Sequence, residues 1–291
     1  MKPAAFAYCA PRTLEEAISL LDEHGYDAKL LAGGQSLVPL MNLRLARPTV
    51  LVDINRVGGL AFVESGDEVV RIGAMTRHHT VATSSEIRGA SPLLSHAAGH
   101  IGYRAIRHRG TLGGSLAHAD PASELPCVAV TQSATVRVTG SAGERTIRAD
   151  ELFLAEMTTT LAPDEIVTSV AIPRIRPDEG WGFREFVRKV GDFAVVMAAA
   201  LLRVADGRVA SARLGLGGAE GTPRRVTEAE QALVGSVPGA ETIEKAARVA
   251  AEAVEPTSDI HGSADYRRRL VHAMTRRALQ DALGRLEAGH G

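Results

Sequence analysis

Two glycine pairs punctuate this chain of 291 residues at turn positions, one in Ala32-Gly33-Gly34-Gln35-Ser36 and one in Thr111-Leu112-Gly113-Gly114-Ser115. They constrain the fold most, because a residue without Cβ lets the backbone turn sharply and press against another backbone or a ligand. The first pair follows an apolar strand predicted at 29–32 and precedes a helix predicted over 36–45 with Ser36 as its cap. After Pro48 a second apolar strand is predicted at 50–54, which makes the opening segment an α/β unit with a glycine turn at the carboxyl end of a strand. Main-chain N–H groups at such a turn can approach an anion, a serine adds a hydroxyl donor, and the positive end of a following helix favours phosphate. A glycine pair also serves as a plain tight connection. Two similar turns strengthen the phosphate reading, and on chemistry alone both stand.

The rest of the chain sorts by period. Thr13 and Glu16 form a capping-box pair opening a helix over 13–24, which Gly25 ends. Short strands follow at 61–64 and 69–73 around the turn at 65–67, then a more helical stretch over 81–106 and an apolar segment running to Val130. Further strands are predicted at 136–139, 144–148 and 165–172. The proline- and charge-rich PRIRPDEG at 173–180 marks the domain boundary. The reading is a first domain over 1–175, in parts 1–55 and 56–175, and a second over 176–291. The second carries a strand-like 181–189, an apolar 193–204, a strand at 208–217 and helices near 225–234, 240–253 and 263–288. The fold class is therefore mixed: an α/β first domain, then a smaller α+β domain with an antiparallel sheet and helices.

Several functions are set aside by composition. The 33 basic and 34 acidic side chains nearly cancel and are interspersed, so no field favours nucleic acid or an anionic membrane. No signal-peptide pattern and no membrane-length apolar run occurs, which predicts a cytoplasmic protein without a membrane span. Cys9 and Cys127, the only cysteines, cannot build a disulfide framework or an all-cysteine iron–sulfur cluster, so any such cluster sits on another subunit. No GxGxxG, GxxxxGK, GxSxG or HExxH motif is present. His96 and His100 are spaced i, i+4, yet no third ligand stands beside them, and His78-His79 read as surface or satisfied polar residues. In a chain with 4% aromatic residues, Trp181, Phe183, Phe186 and Phe193 cluster, as a local core or as part of a site.

Four stretches, in order, add to this reading: KLLAGGQSLVPLMNLRLARPTVLVDI, IGAMTRH, RHRGTLGGSLAHADPASELP and GWGFREFVRKVGDFA. Together they resemble the FAD-binding medium subunits of the molybdenum hydroxylases, the group that includes the carbon monoxide dehydrogenase medium subunit and the flavin domain of xanthine dehydrogenase. The resemblance covers nearly the whole chain. It implies a two-part FAD-binding domain of the PCMH or vanillyl-alcohol-oxidase type, followed by the smaller domain. It further implies an electron-transfer subunit that takes electrons from two [2Fe-2S] clusters on a small iron–sulfur subunit. A large subunit holds the molybdenum–molybdopterin, the electrons leave through FAD to an external acceptor, and the assembly is a dimer of heterotrimers. No general acid or base is implied in this chain.

Carried over by residue, the resemblance puts the diphosphate on Ala32, Gly33, Gly34, Gln35 and Ser36 and on Thr111, Gly113, Gly114 and Ser115. Glu124 stands where relatives often have aspartate, and would accept a hydrogen bond from a hydroxyl-bearing part of the cofactor. Leu161 falls beside the cofactor or in the core. Arg184 and Lys189 are both eligible as the basic residue at the flavin, where a cation stabilises an anionic reduced form and raises its potential. Phe193 replaces a tyrosine of some relatives, keeping an aromatic face without its hydroxyl. The substrate and the acceptor are not implied. A self-contained flavin oxidase on the same fold is the alternative, and a scaffold subunit without cofactor a third reading.

Overall fold

The computed structural model describes residues 2–289. Thr13 accepts the amide of Glu16, and that cap starts α1 (Leu14–His24), which buries Ala17 and Leu21. The helix packs on a small parallel sheet of β1 (Ala7–Cys9), β2 (Ala28–Leu31) and β3 (Val50–Asp53), ordered β1-β3-β2. Between β2 and β3 lies α2 (Leu37–Asn42), which ends three residues short of the expected 45. Arg44 takes the left-handed conformation there (φ 59°) and returns its amide to the Met41 carbonyl, which closes the helix. Ser36 stands at the N-cap position without making the expected side-chain cap.

A second layer is a five-stranded antiparallel sheet ordered β4-β5-β10-β6-β7, from β4 (Val63–Ser65), β5 (Val69–Gly73), β6 (Thr135–Gly140), β7 (Gly143–Arg148) and β10 (Ile166–Pro173). Between β7 and β10 run α9 (Ala149–Leu152) and the pair β8 (Phe153–Ala155) and β9 (Thr158–Thr159). The helical stretch expected over 81–106 is four short helices: α3 (His78–Thr83), α4 (Ser85–Ala90), α5 (Pro92–His100) and α6 (Arg104–Arg107). Serines punctuate them, because Ser84 and Ser91 leave helical geometry and cap the next helix through Ile87 N–H and Leu94 N–H. Next come α7 (Leu112–His118) and α8 (Glu124–Thr131), whose residues are all buried.

The third layer is the antiparallel sheet β11-β12-β13-β14, from β11 (Glu179–Phe186), β12 (Val196–Ala205), β13 (Arg208–Gly217) and β14 (Arg224–Arg225). Helices α10 (Thr227–Leu233), α11 (Ala240–Glu252) and α12 (Ala264–Gly289) follow it. β12 explains the unbroken apolar run of its sequence. Met197, Ala199 and Leu201 join the core of the second layer, while Val196, Ala198, Ala200 and Leu202 join a separate core beneath the C-terminal helices. Both faces of the strand are covered, so neither face calls for polar residues. On β11, a Cβ at Gly180 or Gly182 would come within 2.0 or 1.9 Å of the α12 carbonyls of Ala282 and Ala278, so the glycines let α12 lie on the strand.

Candidate cofactor site

The two glycine turns, far apart in sequence, meet in space. A Cβ on Gly33 would stand 2.3 Å from the Arg109 carbonyl oxygen and 2.7 Å from Gly110 Cα, so the first turn touches the backbone that leads into the second. Gly34 takes positive φ (72°). Four carbonyls of this turn are engaged: Ala32 O accepts from Asn55 Nδ2 (2.8 Å), Gly33 O from Gln35 Nε2 (3.1 Å), Gly34 O from Val38 N–H (3.2 Å) and Ser36 O from Leu40 N–H (3.1 Å). Among the described residues no acceptor takes the amides of Gly34, Gln35 or Ser36. The turn engages most of its carbonyls and presents three consecutive donors, the polarity an anionic group requires.

The second turn is built differently. Thr111 caps α7 by accepting the Gly114 amide (3.1 Å), Leu112 N–H goes to Thr76 O (3.0 Å), Gly113 N–H to Ala74 O (2.8 Å) and Ser115 N–H to Thr111 O (3.0 Å). These amides are already used. A Cβ on Gly113 would strike the Ala74 side chain at 2.5 Å, so this glycine answers to packing of α7 on the sheet. Gly114 faces the first turn: beyond Thr111 Oγ1, the nearest atom to a Cβ there is Ala32 Cβ at 3.8 Å. What the second turn turns toward the first is the bare Gly114 backbone, with the part-exposed Ser115 next to it on α7. Beneath it His78 is buried, its Nε2–H donating to Thr111 O (2.8 Å), and burial pulls its pKa down to about 4, so the ring is neutral.

Beside the first turn lies an open groove of about 290 Å³ lined by Leu31, Gly33, Gly34, Gln35, Val38, Pro39 and Arg109. Glu124 is buried at the start of α8, and desolvation, assisted by the charges of Glu185 and Asp120, pushes its pKa up to about 8. Leu161, between β9 and β10, is half-buried against the core of the second layer. Arg184 is spoken for. It lies on the face of β11 turned to α12 and forms a two-point ion pair with Asp281 (2.6 and 2.9 Å). Lys189 lies in the exposed loop after β11, where the Lys189 carbonyl accepts Asp192 N–H (3.1 Å), and Phe193 is 67% exposed at its end. That loop leans on Tyr103, whose ring would sit 2.9 Å from a Cβ at Gly191.

The aromatic four divide. Phe183 is buried against the rings of His96 and His100 (6.2 and 5.5 Å) and Trp181 packs on the same core against His96 (5.3 Å), whereas Phe186 joins the other core and Phe193 faces outward. His96 and His100 pack ring to ring at 4.7 Å, and among the described residues no group of three metal-ligating side chains occurs. Asn55, Arg77 and Arg109 are the site residues that sequence reasoning passed over. Arg77 lay inside a quoted motif, but its partners are 22 and 32 residues away and no periodicity marks them.

Comparison with known proteins gives the family. Residues 4–175 match the family described as FAD binding domain in molybdopterin dehydrogenase, and residues 181–282 the CO dehydrogenase flavoprotein C-terminal domain. The nicotine 6-hydroxylase medium subunit of Paenarthrobacter nicotinovorans is 43% identical, over 97% of this chain and 99% of that protein. The carbon monoxide dehydrogenase medium chain of Hydrogenophaga pseudoflava is 36% identical over 98% and 99%. A solved carbon monoxide dehydrogenase from the same organism superposes with a TM-score of 0.96 at 38% identity, covering 98% of this chain and 99% of that one. Quinoline 2-oxidoreductase from Pseudomonas putida 86 superposes with 0.93 at 40% identity, covering 98% and 100%. No helix among the described residues is long and apolar enough to cross a membrane. The family and mixed fold class expected from the four motifs are borne out, and the chain belongs to the FAD-binding medium subunits of the molybdenum hydroxylases, oxidoreductase components.

Proposed function

We propose that this chain is the electron-exit subunit of a cytoplasmic heterotrimeric molybdenum hydroxylase. Electrons would come from two [2Fe-2S] clusters on a small partner, the molybdenum–molybdopterin would lie on a large partner, and an external acceptor would take the electrons from FAD bound here. FAD, when bound, exchanges electrons singly or in pairs, which links one-electron clusters to a two-electron acceptor. The observation that carries the reading is the donor-rich first turn: Gly34, Gln35 and Ser36 offer three unpaired amides beside the backbone of Gly114.

The residues of this chain divide the work of holding the cofactor. Ala32 to Ser36 bind the diphosphate through main-chain N–H, with Thr111, Gly113, Gly114 and Ser115 as the opposing wall, to which Thr111 and Gly113 contribute by shaping α7. Glu124 meets a cofactor hydroxyl. Leu161, Lys189 and Phe193 belong to the flavin end, and Lys189 is favoured over Arg184 as its cation because Asp281 already neutralises Arg184. Two domains, 1–175 and 176–291, with 1–55 as a separate part of the first, find support in three apolar cores, although Val57, Leu60, Met75 and Ile166 join the core of the first part and Phe183, Ala194 and β12 residues that of the second part. Relatives named for nicotine, caffeine and quinoline make N-heteroaromatic compounds the first reductants to try, with carbon monoxide beside them.

The test is to purify the chain alone and with its co-expressed partners. Flavin absorbance, FAD released on denaturation and bleaching by one of those reductants in the complex are expected. A complex with no flavin refutes the proposal, and bleaching in the isolated chain favours a self-contained oxidase. Gly33→Ala is expected to lower FAD affinity roughly 5- to 100-fold, since separating its Cβ from the Arg109 carbonyl demands a shift that costs about 1–3 kcal/mol.

A further inference from the structure

One chain of side-chain hydrogen bonds runs between two lobes, one built on the small parallel sheet and one on the five-stranded antiparallel sheet, and ends on the first turn and on the backbone that leads into the second. Tyr8 OH donates to Asp53 Oδ2 (2.6 Å), and Asp53 Oδ1 accepts from the Asn55 side chain (2.6 Å) and backbone (2.9 Å). The same Asn55 amide donates to Ala32 O (2.8 Å), while its Oδ1 accepts from Arg77 Nη2 (2.8 Å). Arg77 Nη1 donates to Arg109 O (2.5 Å), and this is the carbonyl that Gly33 is bare enough to approach. Arg77 also sits at the start of α3 and bridges to Thr111 by a backbone pair. Among the described residues no carboxylate forms an ion pair with Arg77; both of its acceptors are neutral.

A guanidinium presents donors in a rigid planar fork, so it fixes the distance between two acceptors as an ammonium cannot. Here those acceptors lead to the first turn, through Asn55, and to the backbone that enters the second, at Arg109. We infer that Asn55 and Arg77 form a brace that sets the spacing of the two turns, and that they are positioning residues for a nucleotide diphosphate they need not touch. The inference rests on the proposed FAD site and adds what holds its halves in register. Preorganised donors bind more tightly because the ligand does not have to order them.

The experiment measures FAD dissociation constants and urea midpoints on the deflavinated full chain for wild type, Arg77→Met, Asn55→Ala, the double variant and Arg77→Lys. Each of Arg77→Met and Asn55→Ala is expected to weaken FAD roughly tenfold or more, with little change in the urea midpoint. The double variant is expected to be little weaker than the poorer single one, because both break the same brace. Arg77→Lys keeps the charge and the stem, so it folds, yet falls between methionine and wild type. Binding within twofold of wild type in Arg77→Lys or in both other single variants overturns the brace, as does a loss of FAD that the fall in urea midpoint fully accounts for. If wild type itself takes up no FAD, the proposed site fails instead.

Discussion

Replacing Glu124 by glutamine tests the electrostatics of the site with a worked magnitude. The carboxyl is buried at the start of α8, near Glu185 of β11, Asp120 of the preceding loop and Arg107 of α6, and desolvation leads the rise of its pKa from 4.5 to about 8. The folded chain therefore holds this proton between pH 4.5 and about 8, where the unfolded chain has released it. Stability rises with pH only where the unfolded state binds more protons, so this group makes stability fall as pH increases through that window. The slope is about 1.4 kcal/mol per pH unit, which gives about 3 kcal/mol at pH 7 and a limit near 5 kcal/mol above pH 8. Glutamine keeps the shape and removes the titration. Urea unfolding of the deflavinated chain, free of ligand linkage, should show wild type and Glu124→Gln close at pH 5 and the variant gaining through pH 8. Taking the difference at each pH cancels every other group. A difference that stays flat from pH 5 to 8 refutes the assignment of Glu124 as a buried neutral acid.

His78 works with the opposite sign: its pKa is lowered from 6.5 to about 4, so stability is full above pH 6.5 and falls by up to about 3 kcal/mol as pH drops toward 4. His78→Gln should flatten that acid limb in the same urea series. Gly182→Ala forces a Cβ to within 1.9 Å of the Ala278 carbonyl and should lower stability by about 1–3 kcal/mol, read from the urea midpoint. Lys189→Met should lower the potential of bound flavin by about 10–20 mV, since an exposed cation contributes at most about 1 kcal/mol and 30 mV is about 1.4 kcal/mol for two electrons. Arg184→Met, in spectroelectrochemical titration, should leave the potential in place, because Asp281 already neutralises that cation.

What was legible in the sequence was local. The Thr13 cap and the Gly25 stop depend on neighbours within a few residues and stand where the spacing put them, while the expected hairpin forms with its first strand at Val63–Ser65 instead of 61–64 and its turn at 66–68 instead of 65–67. The helical stretch over 81–106 was right in kind, but its breaks come from Ser84 and Ser91 choosing the cap geometry over the helix interior. Arg44 shortened α2 by adopting a left-handed backbone that its residue type does not announce. The apolar 193–204 could not be told from a helix by period, since β12 is covered on both faces. At the site, the glycine pairs were visible but their separate duties were not. Gly33 and Gly113 look alike in sequence; one admits the neighbouring turn and the other admits Ala74.

That difference changes how the site is understood. Two equivalent cradles would each bind an anion weakly and independently, and either lobe could keep some affinity alone. Here the first turn has spare donors, the second has committed its amides to α7 and to the sheet, and Arg77 couples them through Asn55. The donors lie in the turn that leaves the small parallel sheet, whereas the opposing wall is the start of α7, which packs on Ala74 after β5 of the antiparallel sheet. On the proposed reading, a diphosphate between them would draw free energy from the contact between lobes as well as from the amides, so ligand binding and lobe docking would stabilise each other by the same amount.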